Sequence, residues 1–266
     1  MGTISKALEL LNHFSASRSE IGLGEFVRLS QRDKATVHRH LNELEENGFL
    51  EQDAASRAYR LGPALLRLAA VREAAFPMRR LLRPIVTELA DAVGELAHAS
   101  LLEGDMLSPL VHADPLRHGT QVHFDEAERL PLHATSGGMA VLAFAEAALQ
   151  GRILNHPLAA LTPGTPTEPD KLREMIAKIR HSGISLMAGS FDSEVISQGA
   201  PLFDQHGRVI GALSVAVPQA RATSEGQRII GQKLLAAAHT ATRSLGGLHP
   251  QFNATDTANP ALSQAQ

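Results

Sequence analysis

Arg39 and Asn42 stand three positions apart in the run Lys34-Ala35-Thr36-Val37-His38-Arg39-His40-Leu41-Asn42. Both side chains end in planar forks, the chemistry of base-edge reading: a guanidinium pairs with guanine O6 and N7, a carboxamide with adenine. On a helical wheel Val37, Leu41 and Leu44 form an inward stripe, and Ala35, Thr36, His38, Arg39 and Asn42 occupy the opposite half. Ala35 and Thr36 are small enough to let such a helix approach bases or a thymine methyl. Lys34 at the helix start, with Arg28 and Arg32 before it, suits phosphate contact. Arg57 and Arg60, a short way downstream, suit groove or backbone contact. The same pattern also fits a solvated helix face or a protein-binding adaptor, and the acidic residues Glu43, Glu45 and Glu46 favour the former.

A second constellation is Thr135-Ser136-Gly137-Gly138, where the chain enters an apolar helical run. Glycines there leave backbone N–H groups uncovered at the positive end of a helix dipole, an anion site; they equally permit a tight entry turn. Ser136 also suits a helix cap. Of the thirteen histidines, His98, His112, His118, His123 and His133 fall close together. His98 and His112 lie on strands expected to be adjacent, which opens a metal-site reading. His133 with Ser136 opens a hydrolase reading, although no GxSxG is present. Neither supplies a complete ligand or catalytic set, so no catalytic residue, metal or cofactor is assigned.

These residues need elements to hold them. A helix with Thr3 as cap is expected to turn Ile4, Ala7, Leu8, Leu11 and Phe14 inward, followed by a second helix over about 23–29. The third runs from about Lys34 to Glu46, capped by Asp33 and stopped at Asn47-Gly48. "FLEQD" and "AYRLG" flank a turn and read as a hairpin, completing a winged helix-turn-helix over residues 1–62. A linker helix follows over 63–77. Residues 78–248 read as an α/β unit: an amphipathic helix, two strands around Glu103–Asp105, a helix over about 136–149, another to His181, three strands and a closing helix over about 224–245. Residues 249–266 are polar and aperiodic, expected to be disordered.

Composition sets the bounds. There is no cysteine, hence no disulfide or thiolate metal site, and no apolar run long enough to span a bilayer. With no secretory signal pattern, a soluble cytoplasmic protein is expected. Net charge is −3, yet residues 1–83 hold 13 Lys/Arg against 10 Asp/Glu, and residues 84–266 hold 12 against 18. The more basic N-terminal part suits an anionic partner.

"KATVHRHLNELEENGFLEQD" followed by "YRLG" resembles the winged-helix pattern of IclR-family transcriptional regulators. Lys34, Thr36, Val37, His38 and Arg39 match, and Ala35 departs where serine is usual. The resemblance continues through "LPLHATSGGMAVLAF", "LTPGTPT", "IRHSGIS" and "GAPLFDQHGRVIGALSVAVPQAR", covering residues 3 to about 246. It implies an α+β chain, with the winged domain joined by the linker helix to a GAF-like effector domain built on an antiparallel sheet. It further implies a small organic acid bound between the "HATSGG" helix start and the last strands. Thr135, Ser136, Gly137, Asp192, Ser197 and Ser214 are the residues so implicated; Ser197 stands where cysteine or alanine is common, and Ala216 where a hydroxyl occurs. With no Arg or Lys in these segments, a carboxylate would rely on amides and hydroxyls. The implied protein is a ligand-responsive regulator, most simply a repressor of a catabolic operon, bound to a palindromic duplex as a homodimer or dimer of dimers.

Overall fold

The computed structural model describes residues 2–15, 17–75 and 77–250. The chain divides after Pro77 into two compact units. From residue 251 the expected disordered tail lies outside the described residues.

The first unit contains α1 (Thr3–Leu11), α2 (Leu23–Ser30), α3 (Lys34–Glu46), β1 (Leu50–Gln52), β2 (Tyr59–Leu61) and α4 (Pro63–Ala75). Its core is Leu10, Ile21, Phe26, Val37, Leu41, Leu44, Leu50 and Tyr59, so the inward stripe expected of α3 packs as read. Asp33 caps α3 by accepting from the Thr36 amide at 2.8 Å, and these bonds hold its carboxyl below the usual range. Gly48, at φ +72°, ends the helix in the left-handed region. The hairpin pairs Leu50 with Leu61, Glu51 with Arg60 and Gln52 with Tyr59. Gly62 follows it so closely that a Cβ there would lie 2.3 Å from the Gly48 carbonyl oxygen, which fastens the wing to the end of α3.

α1 differs from expectation. Gly2, not Thr3, occupies the cap position. Ile4 and Leu8 are exposed at 77% and 47%, while Leu10 is fully buried. Ala7, Leu10, Leu11 and Phe14 form a stripe with the same helical spacing, and this is the one that packs on the core.

The second unit contains α5 (Met78–Val93), β3 (Leu96–Glu103), β4 (Met106–Ala113), β5 (Leu130–Pro131), α6 (Ser136–Phe144), α7 (Ala147–Leu154), α8 (Pro169–Ser182), β6 (Ser185–Ala188), β7 (Val195–Phe203), β8 (Val209–Pro218) and α9 (Ser224–Ser244). Its antiparallel sheet has the order β5-β4-β3-β8-β7-β6. One face carries α6, α7 and α8 around Leu107, Met139, Leu142, Leu172 and Phe203. The other carries α5 and α9 around Leu82, Leu89, Leu202, Leu213 and Leu234. The single helix expected over 136–149 is two, because Ala145 leaves helical geometry at ψ 155° and Glu146 caps a new one. The first of the three strands expected after the helix to His181 is confined to β6, because Gly189 turns the chain at φ +62°. Strand β5 has no counterpart in the sequence reading.

Candidate functional site: an exposed recognition face and a cavity at a helix start

In α3, Lys34, Ala35, His38 and Arg39 are exposed, and Thr36 and Asn42 are half-buried at the same side. Arg39 makes no hydrogen bond or ion pair among the described residues, so its fork is available. Arg28 is exposed and loosely paired with Glu25 at 3.2 Å. Arg57 stands exposed in the hairpin turn at φ +60°, and Arg60 pairs with Glu51 at 2.5 Å. Arg32 departs from the phosphate-contact expectation. Its guanidinium donates to the Lys6 carbonyl at 2.9 Å and pairs with Glu9, so it ties the start of α3 back to α1.

His40, absent from the sequence reading, is 2% exposed within α3, with neither ring nitrogen hydrogen-bonded among the described residues. Burial, then the Arg39, Arg32 and Lys6 charges, hold its pKa below the ordinary value, opposed only by Asp33.

In the second unit the six residues Thr135, Ser136, Gly137, Asp192, Ser197 and Ser214 all line one cavity of about 90 Å³. Its geometry follows from the start of α6. Thr135, and not Ser136, is the cap: its hydroxyl accepts from the Gly138 amide at 3.1 Å and donates to the Pro131 carbonyl at 3.0 Å. Replacing Thr135 with alanine is expected to cost about 1 kcal/mol of stability through the lost cap, read by chemical denaturation of the second unit. The amides of Ser136 and Gly137, the first two of the helix, take no acceptor among the described residues. Two close approaches shape the space around them. A Cβ on Gly199 of β7 would lie 2.5 Å from the Ser136 carbonyl carbon and oxygen, so only glycine lets that strand reach the helix start. A Cβ on Gly137 would lie 2.7 Å from Ser214 Oγ, so the missing side chain is the space in front of that hydroxyl. Ser214 is 1% exposed, and its Oγ has no hydrogen-bond partner among the described residues. A buried hydroxyl facing a cavity without a partner is costly unless something fills the place.

The "LTPGTPT" segment fastens the turn after β6. Thr165 Oγ1 donates to the Ser190 carbonyl at 2.6 Å, and Ser190 Oγ donates to the Ala134 carbonyl at 2.8 Å. That turn delivers Ser190, Phe191 and Asp192 to the cavity wall.

The remaining wall includes His98 of β3, which the sequence reading weighed only as a metal ligand, and Val122, Phe124, Asp125 and Glu128 of the long β4–β5 loop, which it missed. Arg221 holds this loop in place. It forms two 2.7 Å bonds to Glu95 and a third, also 2.7 Å, to the Thr120 carbonyl. Phe124 packs on His98 at 4.5 Å and on His112 at 5.3 Å between ring centroids. His98 and His112 are register partners, as expected, yet a phenyl ring covers both. His98 Nδ1 bonds Ser100 Oγ at 3.1 Å and His112 Nδ1 bonds Glu126 at 2.7 Å. Burial, with His112 adding to it, lowers the His98 pKa to about 4. His133 Nε2 bonds the Ala159 carbonyl at 2.9 Å. No group of three His, Asp or Glu among the described residues is placed to hold a metal. Nor is any described helix long and apolar enough to cross a membrane.

Comparison with known proteins agrees with this architecture. Residues 3–54 match the IclR helix-turn-helix domain and residues 74–243 the IclR C-terminal domain of bacterial transcriptional regulators. The chain is similar to the HTH-type transcriptional regulator KipR of Bacillus subtilis, 28% identical over 92% of this chain and 97% of that protein. It superposes on the crystal structure named as an IclR transcriptional regulator of Silicibacter sp. TM1040 with a TM-score of 0.87 and 44% identity, over 95% of this chain and 100% of that one. A Microbacterium hydrocarbonoxydans IclR homologue complexed with 4-hydroxybenzoate aligns at a TM-score of 0.76 and 25% identity, over 92% and 99% of the two chains. These families and relatives are transcriptional regulators and not enzymes. The winged first unit, the sheet unit with its cavity and the matches across nearly the whole chain place this protein in the IclR family of DNA-binding transcriptional regulators.

Proposed function

We propose that the protein is a ligand-released repressor of a catabolic operon, with a small organic acid as effector. The observation that carries this reading is the unpartnered Ser214 hydroxyl beside the two open amides of α6. Together they offer three donors to one anionic group, without a basic side chain. The Microbacterium neighbour was crystallised with 4-hydroxybenzoate, an organic acid of suitable kind. An acid that releases such a regulator would turn on the genes that consume it.

In this reading α3 contacts bases through Arg39 and Asn42, with Ala35, Thr36 and His38 against the groove floor. Lys34, Arg28, Arg57 and Arg60 face phosphates, and Arg32 supports the helix. One such helix covers only a few base pairs, so a palindrome read by two copies follows. The first unit has exposed apolar side chains suited to a second copy: Leu66, Leu68 and Val71 of α4 are 77%, 42% and 62% exposed, and Ile4 and Leu8 of α1 are exposed as well. A homodimer, or a dimer of dimers in the cytoplasm, is the proposed form.

The test is a gel shift on the gene's own upstream region, with a panel of small carboxylic acids added. An active acid is expected to release the wild-type protein, while Gly137→Ala, whose methyl would occupy the space before Ser214, stays bound at the same acid concentration. Release of Gly137→Ala at an unchanged acid concentration would place the effector elsewhere.

A further inference from the structure

We propose that the effector is a zwitterion, an acid whose far end carries a protonated amine, and that Asp125, Glu128 and Asp192 select it. The proposal rests on the reading of the α6 start as the carboxylate end of the effector site, and it concerns the other end.

Three carboxylates line the cavity and no Lys or Arg does. They come from two separate segments, Asp125 and Glu128 from the β4–β5 loop and Asp192 from the turn after β6, so they converge only in the folded unit. Each of the two aspartates has one oxygen engaged locally. Asp125 Oδ1 accepts from the Ala127 amide and Asp192 Oδ1 from the Glu194 amide, both at 2.8 Å. Their second oxygens, and both oxygens of Glu128, take no hydrogen bond or ion pair among the described residues. No Lys or Arg lines the cavity to offset this charge, and His123 is the one cationic-type side chain beside Glu128. His98 is held neutral by its burial. Burial and the neighbouring Asp125 push the Glu128 carboxyl above its usual range, with only His123 opposing.

Solvated loop charge would account for exposed carboxylates, and Glu128 and Asp192 are both exposed, whereas Asp125 is half-buried. It does not explain why a buried, unpartnered hydroxyl and two open amides share the same cavity. The donors and these carboxylates line the same cavity, and Leu96, Leu107, Leu130 and Val195 supply its apolar wall. A simple monoacid would satisfy the donors and leave the carboxylates without a counter-charge. A dicarboxylate would add a fourth negative charge against them. An ω-amino acid satisfies both ends, because opposite charges attract most strongly where water is thinned.

The experiment is thermal denaturation of the full chain with matched triads: valerate, 5-aminovalerate and glutarate; benzoate, 4-(aminomethyl)benzoate and terephthalate. The amino acid of at least one triad is expected to raise the midpoint at concentrations about tenfold below its monoacid, the scale for partly screened charge pairs. The diacids are expected to give no shift. In the Asp125→Asn/Glu128→Gln/Asp192→Asn variant the monoacid shift should persist while the tenfold preference closes. Glu128→Gln alone, at an exposed position, should narrow it if the triple variant does not fold. A monoacid or diacid that matches the amino acid in wild type overturns the zwitterion and leaves the acid site standing. So does a preference that survives neutralisation. No shift by any compound, in wild type or variant, overturns both readings.

Discussion

Arg39→Ala is expected to weaken binding to the specific operator by about 5- to 150-fold, the value of a bidentate Arg–guanine pair at ~1–3 kcal/mol. The side chain is exposed and without an ion pair among the described residues, so its loss should leave the thermal midpoint of the first unit unchanged. Fluorescence anisotropy at fixed salt, on the operator and on a scrambled duplex, reads the difference. A base-reading Arg39 lowers operator affinity far more than scrambled affinity. Equal losses on both duplexes would make it a phosphate contact, and no loss would remove it from the interface. Arg32→Ala provides the contrast. That guanidinium is spent on Lys6 and Glu9 of α1, so its removal should lower the stability of the winged unit, and DNA affinity should fall only as far as α3 loosens.

Local signals were legible where they coincide. In α3 the inward spacing of Val37, Leu41 and Leu44, the Asp33 cap and the Asn47-Gly48 stop agree, and the helix has the expected bounds. In α1 two stripes of equal spacing compete, and only packing against Phe26 and Ile21 decides between them. The cavity divides in the same way. Ser136, Gly137 and Ser214 lie in helix and strand motifs, and Gly199 brings them together by close approach. The loop residues Val122 to Glu128 have no periodicity, and their position depends on an Arg221–Glu95 contact 126 residues apart in sequence. His40 is illegible for a related reason: on the wheel it borders the exposed half, and tertiary packing is what buries it.

The two units therefore present charge in opposite ways. In the first, cations lie on an exposed helix, while Glu9 is drawn into a pair with Arg32 and Glu51 with Arg60. In the second, Arg221 is consumed by Glu95, while the carboxylates at the cavity stay unpaired among the described residues. Net charge near zero for the whole chain conceals this division, which suits one partner that is a polyanion and another that brings its own donors.

His98 makes the second unit acid-sensitive over a defined range. Its pKa is lowered to about 4 in the folded chain, against an ordinary value near 6.5 in the unfolded one. Above pH 6.5 the imidazole is neutral in both states and the native unit holds its full stability. Between pH 6.5 and 4 the unfolded chain binds a proton that the folded chain refuses, so stability falls as pH falls. Below pH 4 both states are protonated and this contribution levels off. The total is about 3 kcal/mol, taking ~1.4 kcal/mol per unit of displacement. Urea denaturation of wild type and His98→Asn at intervals from pH 7 to pH 4 isolates it, because other titrating groups cancel in the difference. The wild-type curve should fall more steeply by that amount, and parallel curves would show that His98 accepts its proton in place. Since His98 lines the cavity and packs on Phe124, a ligand that fits against the neutral ring should bind progressively less well over the same pH interval. The protonated ring would have to be accommodated by moving Phe124, which packs on it from the β4–β5 loop.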